Sequence, residues 1–201
     1  TVGNYGRAEG RFYLSGAFND QWSASIAGAV VTHDGYVEDP ATGEEYNDDD
    51  TKAVRAKLAW HPSDAFNATL ALDYTRQSTA LTLGEPTAPL VQTNLTATGA
   101  VPVILLPAPA GEYDFEASTS FGPGQGQDLT HKGVSLHADW NLSDSWLMKS
   151  ITAYRRLDSK SFIDIDASEF ELGDVLVAFD QKQASQEFQL QYDNGSNLQA
   201  T

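Results

Sequence analysis

The sequence predicts an all-β fold, an antiparallel up-and-down meander, and three observations predict it. Apolar residues recur at every second position, connections alternate between short and long, and all four tryptophans flank short turns. Period two is the spacing of a strand, whose successive side chains point to opposite faces. Helical spacing appears nowhere with comparable strength.

The elements follow in order. Residues 7–18 place Ala8, Phe12 and Leu14, with Gly10 and Gly16 between, on one face, and Arg7, Glu9, Arg11, Tyr13 and Ser15 on the other. Residues 22–31 carry Trp22, Ala24, Ile26, Gly28 and Val30 on the apolar face. Residues 52–60 carry Val54, Ala56, Leu58 and Trp60, opposite Arg55 and Lys57. Residues 66–75 alternate Phe66, Ala68, Leu70, Leu72 and Tyr74 with Asn67, Thr69, Ala71, Asp73 and Thr75. Residues 130–140 set Val134, Leu136, Ala138 and Trp140 against His131, Ser135, His137 and Asp139. Residues 146–156 are ambiguous, because Leu147 and Ile151 share a face with Lys149 and Arg155. Residues 184–192 set Phe188, Leu190 and Tyr192 against Ser185, Glu187, Gln189 and Gln191.

Short turns are expected at Asn19-Asp20, His61 to Ala65, Asn141 to Ser145, and Asp193 to Asn197 with its Asn194-Gly195 dipeptide. Long loops are expected over 34–51, 77–127 and about 159–180. In a meander every second connection lies at the same end, so one rim is trimmed and the other elaborate. That asymmetry is the signature of outer-membrane barrels. Trp22, Trp60, Trp140 and Trp146 then lie at one height, with Phe18 and Phe66, as an aromatic girdle at a bilayer interface does. Tyr36, Tyr74 and Tyr154 lie towards the opposite end as a second girdle.

Composition bounds the alternatives. In 201 residues, 41% hydrophobic content with 10% aromatics excludes a disordered chain. A net charge of -16 with twelve scattered basic residues excludes a nucleic-acid partner, because neutralising phosphates takes clustered Lys and Arg. The absence of cysteine removes disulfides, thiolate metal sites and thiol nucleophiles. The longest apolar run, Val101 to Ala110, is broken by Pro102, Pro107 and Pro109 and falls short of the ~20 residues of a membrane helix. Neither end resembles a natural terminus, so residues 1–201 are expected to be an internal segment with seven strands and the start of an eighth.

The runs "GNYGRAEGRFYLSGAFND", "ASIAGAVVTHDGYV", "RAKLAWHPSDAFNATLALDYT", "LMKSITAYRRLDS" and "ASQEFQLQYDNG" are similar to the barrel portion of TonB-dependent outer-membrane receptors. The similarity spans about Val2 to Leu198 and rests on the order and spacing of these pieces. It implies a 22-stranded barrel in the outer membrane of a Gram-negative bacterium. It further implies a plug domain, absent here, that couples to the TonB complex. The implied activity is energy-coupled uptake of a scarce, bulky nutrient, most often a ferric siderophore, otherwise cobalamin or an oligosaccharide. The partners it implies are membrane lipid, the plug and the nutrient; no covalent chemistry and no cofactor are implied.

Candidate sites stand beside plainer readings. In the family reading, Arg7, Glu9, Arg11, Arg55 and Lys57 line the lumen wall and meet the plug. Tyr36, Tyr46, Tyr113, Phe115 and Phe121 lie on long loops, where aromatic rings offer a stacking surface for a ligand, or pack on one another. The loop "DGYVEDPATGEEYNDDD" is strongly acidic, and Glu44, Glu45, Asp48, Asp49 and Asp50 are oxygen donors of the kind that bind Ca²⁺. Their spacing departs from D-x-[DN]-x-[DN]-G, and a solvated loop is the plainer account. His131 and His137, six residues apart on a strand, stand ~20 Å apart and are independent wall residues. "FGPGQGQ" lacks the G-K-[ST] ending of a phosphate loop, and no G-x-S-x-G context accompanies any serine.

Two further functions remain open. A passive porin shares the barrel but lacks the plug. A soluble all-β binding module instead requires Phe66, Leu70, Leu72, Ile26 and Leu58 to be buried under a second sheet.

Overall fold

A computed structural model describes residues 1–108, 111–196 and 198–201. Pro109 and Ala110, at the end of the Pro-broken apolar run, and Asn197, at the last turn, lie outside the described residues. The strands are β1 (Ala8–Ala17), β2 (Trp22–His33), β3 (Val37–Glu38), β4 (Glu45–Tyr46), β5 (Asp49–Ser63) and β6 (Phe66–Thr79). They continue with β7 (Leu90–Thr96), β8 (Gly99–Leu106), β9 (Gln127–Ser143), β10 (Trp146–Asp164), β11 (Asp174–Asp193) and β12 (Gln199–Ala200). No helix occurs among the described residues.

Eight strands form one antiparallel sheet in the order β1-β2-β5-β6-β9-β10-β11-β12, so each strand neighbours the next large strand of the sequence. Two small hairpins, β3-β4 and β7-β8, are insertions in the long loops. The sheet is not closed; β1 and β12 stand at its two edges.

The short turns form by local chemistry. Asn19 Oδ1 accepts hydrogen bonds from the N–H of Gln21 and of Trp22, each 2.9 Å, which closes the first turn. Asp193 Oδ1 accepts from Gly195 N–H at 2.7 Å, and Gly195 takes the left-handed φ of 72° that this turn requires. On the sheet, Gly28 leaves room for its cross-strand partner: a Cβ there would collide with the Phe12 ring.

Two expectations need correction. The loop expected over about 159–180 is mostly strand, because β10 and β11 pair without interruption from Trp146↔Tyr192 to Asp164↔Asp174. Beyond Arg156 this face is mixed, with Asp158, Lys160 and Asp164 beside Phe162, and the backbone ladder continues regardless of side-chain polarity. The loops over 34–51 and 77–127 likewise hold the small hairpins, and β5 begins at Asp49.

The ambiguous strand is resolved by its neighbours. Tyr154 pairs with Val134 and Ala184, and Ser150 with Ala138 and Phe188. Trp146, Met148, Ser150, Thr152 and Tyr154 therefore share the apolar face, and Leu147, Lys149, Ile151 and Arg155 take the wet one.

Among the described residues, no second sheet covers the apolar face. Of the buried apolar residues, Val37, Tyr46, Leu81, Leu83 and Ala117 form one cluster among the loops, and only Ala71 belongs to the large sheet. Ile26, Leu58 and Leu72 are 39%, 36% and 49% exposed within this chain.

Candidate functional site

The apolar face carries a band with two borders, and both borders run obliquely across the strands. The lower border is aromatic: Trp22 pairs with Trp60 on β2 and β5, Phe66 with Trp140 on β6 and β9, and Trp146 with Tyr192 on β10 and β11. The row of partners through Trp60 continues to Ala68, Ala138, Ser150 and Phe188, and the row through Trp140 continues to Met148 and Leu190. Each aromatic pair thus sits two residues nearer the turns than the pair before it.

The upper border is basic. Lys52 pairs with Arg76 on β5 and β6, whereas Lys132, Arg156 and Lys182 are partners on β9, β10 and β11. Because Lys132 pairs with Tyr74 and not with Arg76, this border also drops by two residues in the same direction. Between the borders no charged side chain lies on the face from β5 to β11. Of the twelve basic residues, Lys52, Arg76, Lys132, Arg156, Lys160 and Lys182 share this face, all at or beyond the upper border. The other six share the parity of the wet face.

The band has nearly constant width. Trp60 minus Lys52 is 8 residues, Arg76 minus Phe66 is 10, Trp140 minus Lys132 is 8, and Arg156 minus Trp146 and Tyr192 minus Lys182 are 10 each. At ~3.3 Å per residue these are roughly 26–33 Å along the strand, or roughly 19–23 Å across when the strands tilt ~45°. Polar groups inside the band satisfy one another: Thr152 Oγ1 donates to Gln186 Oε1 at 2.5 Å, and Gln186 Nε2 donates to Ser150 Oγ at 3.0 Å. At the upper border, Arg156 Nη2 donates to Asp158 Oδ1 at 2.9 Å, and Lys52 Nζ lies 2.8 Å from Asp50. Lys132, Arg76 and Lys182 have no ion-pair partner among the described residues.

The face opposite the apolar band carries charged residues. Glu9 bridges Arg7 at 3.4 Å and Arg11 at 2.6 Å along β1. Arg55 is the cross-strand partner of Asp73, and Lys57 of Ala71. Asp73 in turn lies 3.3 Å from His131 Nδ1 and 3.9 Å from Arg155 Nη2, and it overhangs Gly133, where a Cβ would stand 2.9 Å from its carboxylate. Arg155 was not legible as a residue of this face, because its strand had two possible faces. His131 and His137 make no common site.

The five loop aromatics separate into two groups. Tyr36, Phe115 and Tyr113 come together with Tyr5, with ring centroids 5.6 Å apart for Tyr5–Tyr36, 6.4 Å for Tyr36–Phe115 and 5.0 Å for Tyr113–Phe115. All four are between 37% and 55% exposed. Glu38 N–H donates to Phe115 O at 3.0 Å, and Asp34 N–H to Tyr5 O at 2.8 Å, so backbone bonds hold three separate segments together. Tyr5 and Phe115 have φ of 54° and 67°, a conformation that non-glycine residues rarely adopt and that concentrates at functional positions. Tyr5 was missed in the sequence because it precedes the first alternating segment.

Tyr46 and Phe121 are corrected. Tyr46 is 4% exposed in the loop core, and Phe121 packs edge-on against Phe162 with centroids 5.4 Å apart beside that core. Tyr46 is closed off and Phe121 is partly buried, because the loops pack their own apolar residues against each other. Burial, then the nearby charges of Asp39 and Glu44, raises the Tyr46 phenol above its ordinary pKa.

The acidic loop does not assemble a metal centre from Asp48, Asp49 and Asp50. Asp48 accepts from Ala80 N–H, Asp49 from Thr51 Oγ1, and Asp50 from Lys52 Nζ. Asp49 and Asp50 are adjacent on β5 and therefore point to opposite faces. Among the described residues, one other acidic trio does come together: Asp164, Asp166 and Asp174.

The sequence matches no protein-family model, and no curated protein matches it.

Proposed function

We propose that this chain forms part of the wall of an outer-membrane β-barrel, and that the barrel imports a bulky, scarce nutrient in the manner of TonB-dependent receptors. The nutrient class is a ferric siderophore first, with cobalamin or an oligosaccharide as the same kind of cargo. One observation carries the membrane reading: an uncharged apolar band, bordered by aromatics on one side and by basic residues on the other, whose two borders slide in parallel across the strands. A protein partner has no reason to keep both borders parallel, whereas a bilayer fixes two flat interfaces and tilted strands cross both at the same slant. The basic border suits the phosphate-rich surface of a membrane, where Lys and Arg extend their charges from an apolar stem.

Strand edges at β1 and β12 leave amide groups unpaired, which lipid does not tolerate, so further strands complete the wall in this reading. The import reading draws on the similarity of the sequence segments to TonB-dependent receptors. It is supported by the loop assembly at the basic end, with its own apolar core and the exposed Tyr5–Tyr36–Phe115–Tyr113 group as a ligand-contacting surface. On the wet face, the Arg7–Glu9–Arg11 chain and the Asp73 group are suited to hold a plug by ion pairs.

Fractionation of source cells tests the membrane reading. A heat-modifiable band in the outer-membrane fraction, detected with an antibody against residues 38–50, supports it, and a soluble band removes it. Uptake of ferric chelates in cells with and without TonB then separates import from a passive porin: transport that persists without TonB makes the barrel a porin. Loss of uptake in Tyr36→Ala and Phe115→Ala, with the band unchanged, assigns the aromatic group to the ligand.

A further inference from the structure

The loop between β10 and β11 reads Asp164-Ile165-Asp166-Ala167-Ser168, followed by Asp174. One carboxylate oxygen from each of Asp164, Asp166 and Asp174 lies within 4.8 Å of the others. Asp166 is 5% exposed. Its Oδ2, the Oδ2 of Asp164 and the Oδ1 of Asp174 are all shut off from solvent, and none has a hydrogen-bond partner. Buried carboxylate oxygens without donors are costly, and three anions in one dry place are costlier still. Protein groups occupy the remaining positions: Asp164 Oδ1 accepts from Asp166 N–H at 3.1 Å and Ala167 N–H at 2.8 Å, Ser168 Oγ donates to Asp166 Oδ1, and Ser120 Oγ donates to Asp174 Oδ2 at 2.5 Å.

The unfilled side of the trio therefore calls for positive charge, and no Lys or Arg among the described residues is paired with it. We propose that Asp164, Asp166 and Asp174 bind a calcium-type divalent cation that fastens the β10–β11 loop to the segment around Ser120. The donors are all oxygen, as hard cations require, and there is no nitrogen or sulfur to favour a transition metal. Oxygen side chains at the first, third and fifth positions of the loop match the start of calcium-binding loops. The loop departs from the EF-hand pattern afterwards, with Glu169 in place of glycine and Asp174 ten residues after Asp164. Gly173 keeps the approach open, since a Cβ there would stand 3.2 Å from Asp166 Oδ2. A cleft lined by Glu85, Glu116, Asp166, Ser168 and Glu169 gives the ion a path in from solvent. The site lies beyond the basic border, so it stands whether or not the sheet meets lipid.

Isothermal titration calorimetry with calcium chloride tests this on the intact protein, stripped with a chelator and held in detergent or buffer according to how it fractionates. The expected result is one binding event that Asp166→Asn weakens by at least about tenfold. Asp174→Asn, at a less buried position, is expected to do the same, and serves if Asp166→Asn does not fold. Calcium is also expected to slow proteolysis within residues 164–174 of the unaltered protein. Absence of binding up to millimolar calcium overturns the proposal. So does equal binding by both variants, or loss of binding on replacing Asp48, Asp49 and Asp50 by Asn instead. A soluble protein that still binds calcium through Asp166 leaves this site intact while removing the membrane reading.

Discussion

Trp22 and Trp60 stack face to face across β2 and β5, with ring centroids 5.5 Å apart and planes inclined by 18°. Phe66 meets Trp60 edge-on at 5.7 Å, so three strands are tied at the turn end of the sheet by one aromatic contact line. Such pairs contribute about 0.5–1.5 kcal/mol beyond the area they bury. A double-mutant cycle with Trp22→Ala and Trp60→Ala, read by denaturant unfolding of the protein refolded into lipid vesicles, is expected to return a coupling of that size. Additive losses would mean that the rings act separately.

Leu136 lies four residues from both Trp140 and Lys132 on β9, at the middle of the apolar band, and His137 beside it points to the wet face. On the proposed membrane reading, Leu136→Arg is expected to cost about 2–4 kcal/mol of stability in vesicles, the cost of Arg at a bilayer midplane. His137→Arg is expected to stay within about 0.5 kcal/mol. Equal effects would show that both faces meet the same solvent.

At the upper border, Lys132 and Lys182 flank Arg156 on neighbouring strands and have no ion-pair partner among the described residues. The double change Lys132→Glu and Lys182→Glu is expected to reduce the preference for anionic over zwitterionic vesicles, at about 1 kcal/mol per lysine removed. Measured binding that is indifferent to headgroup charge in the unaltered protein would contradict this role.

Tyr46 sits in the loop core with its phenol pKa raised, burial being the largest cause. A phenol whose folded value exceeds its unfolded value of about 10 adds stability below that pH. That stability is lost as pH rises through the folded value. Alkaline titration followed at the phenolate absorbance is expected to show a late-ionising phenol that disappears in Tyr46→Phe, with the loops opening as it ionises. Tyr46→Ala is expected to cost about 3–5 kcal/mol through the cavity it leaves.

Much of this architecture was legible in the chain. The parity of Val54, Ala56, Leu58 and Trp60 against Arg55 and Lys57 is a property of a single strand, and the turn at Asn19 is closed by that residue's own side chain. Both are local, so composition and spacing suffice to read them. The face of β10 was not legible, because Leu147 and Lys149 share a parity and only pairing with Val134 and Phe188's strand decides between the two. Among the candidate residues, Tyr36, Phe115 and Tyr113 come together at the surface, and nothing local separated them from Tyr46 and Phe121. The Asp164-x-Asp166-x-Ser168 spacing is present in the sequence, but its convergence with Asp174 and Ser120 depends on pairing between distant segments.

The sequence by itself determined the faces of every long strand but β10, the antiparallel meander and the placing of the tryptophans beside the short turns, since each follows from the two-residue period of an extended backbone and the turns that interrupt it. Only the tertiary structure decided the slant of the two borders, the loop core around Val37 and Leu81, and the meeting of Asp164 with Asp174 and Ser120. These depend on register between strands and on contacts between distant segments, where the energy lies in pairs of residues that no single stretch of chain contains.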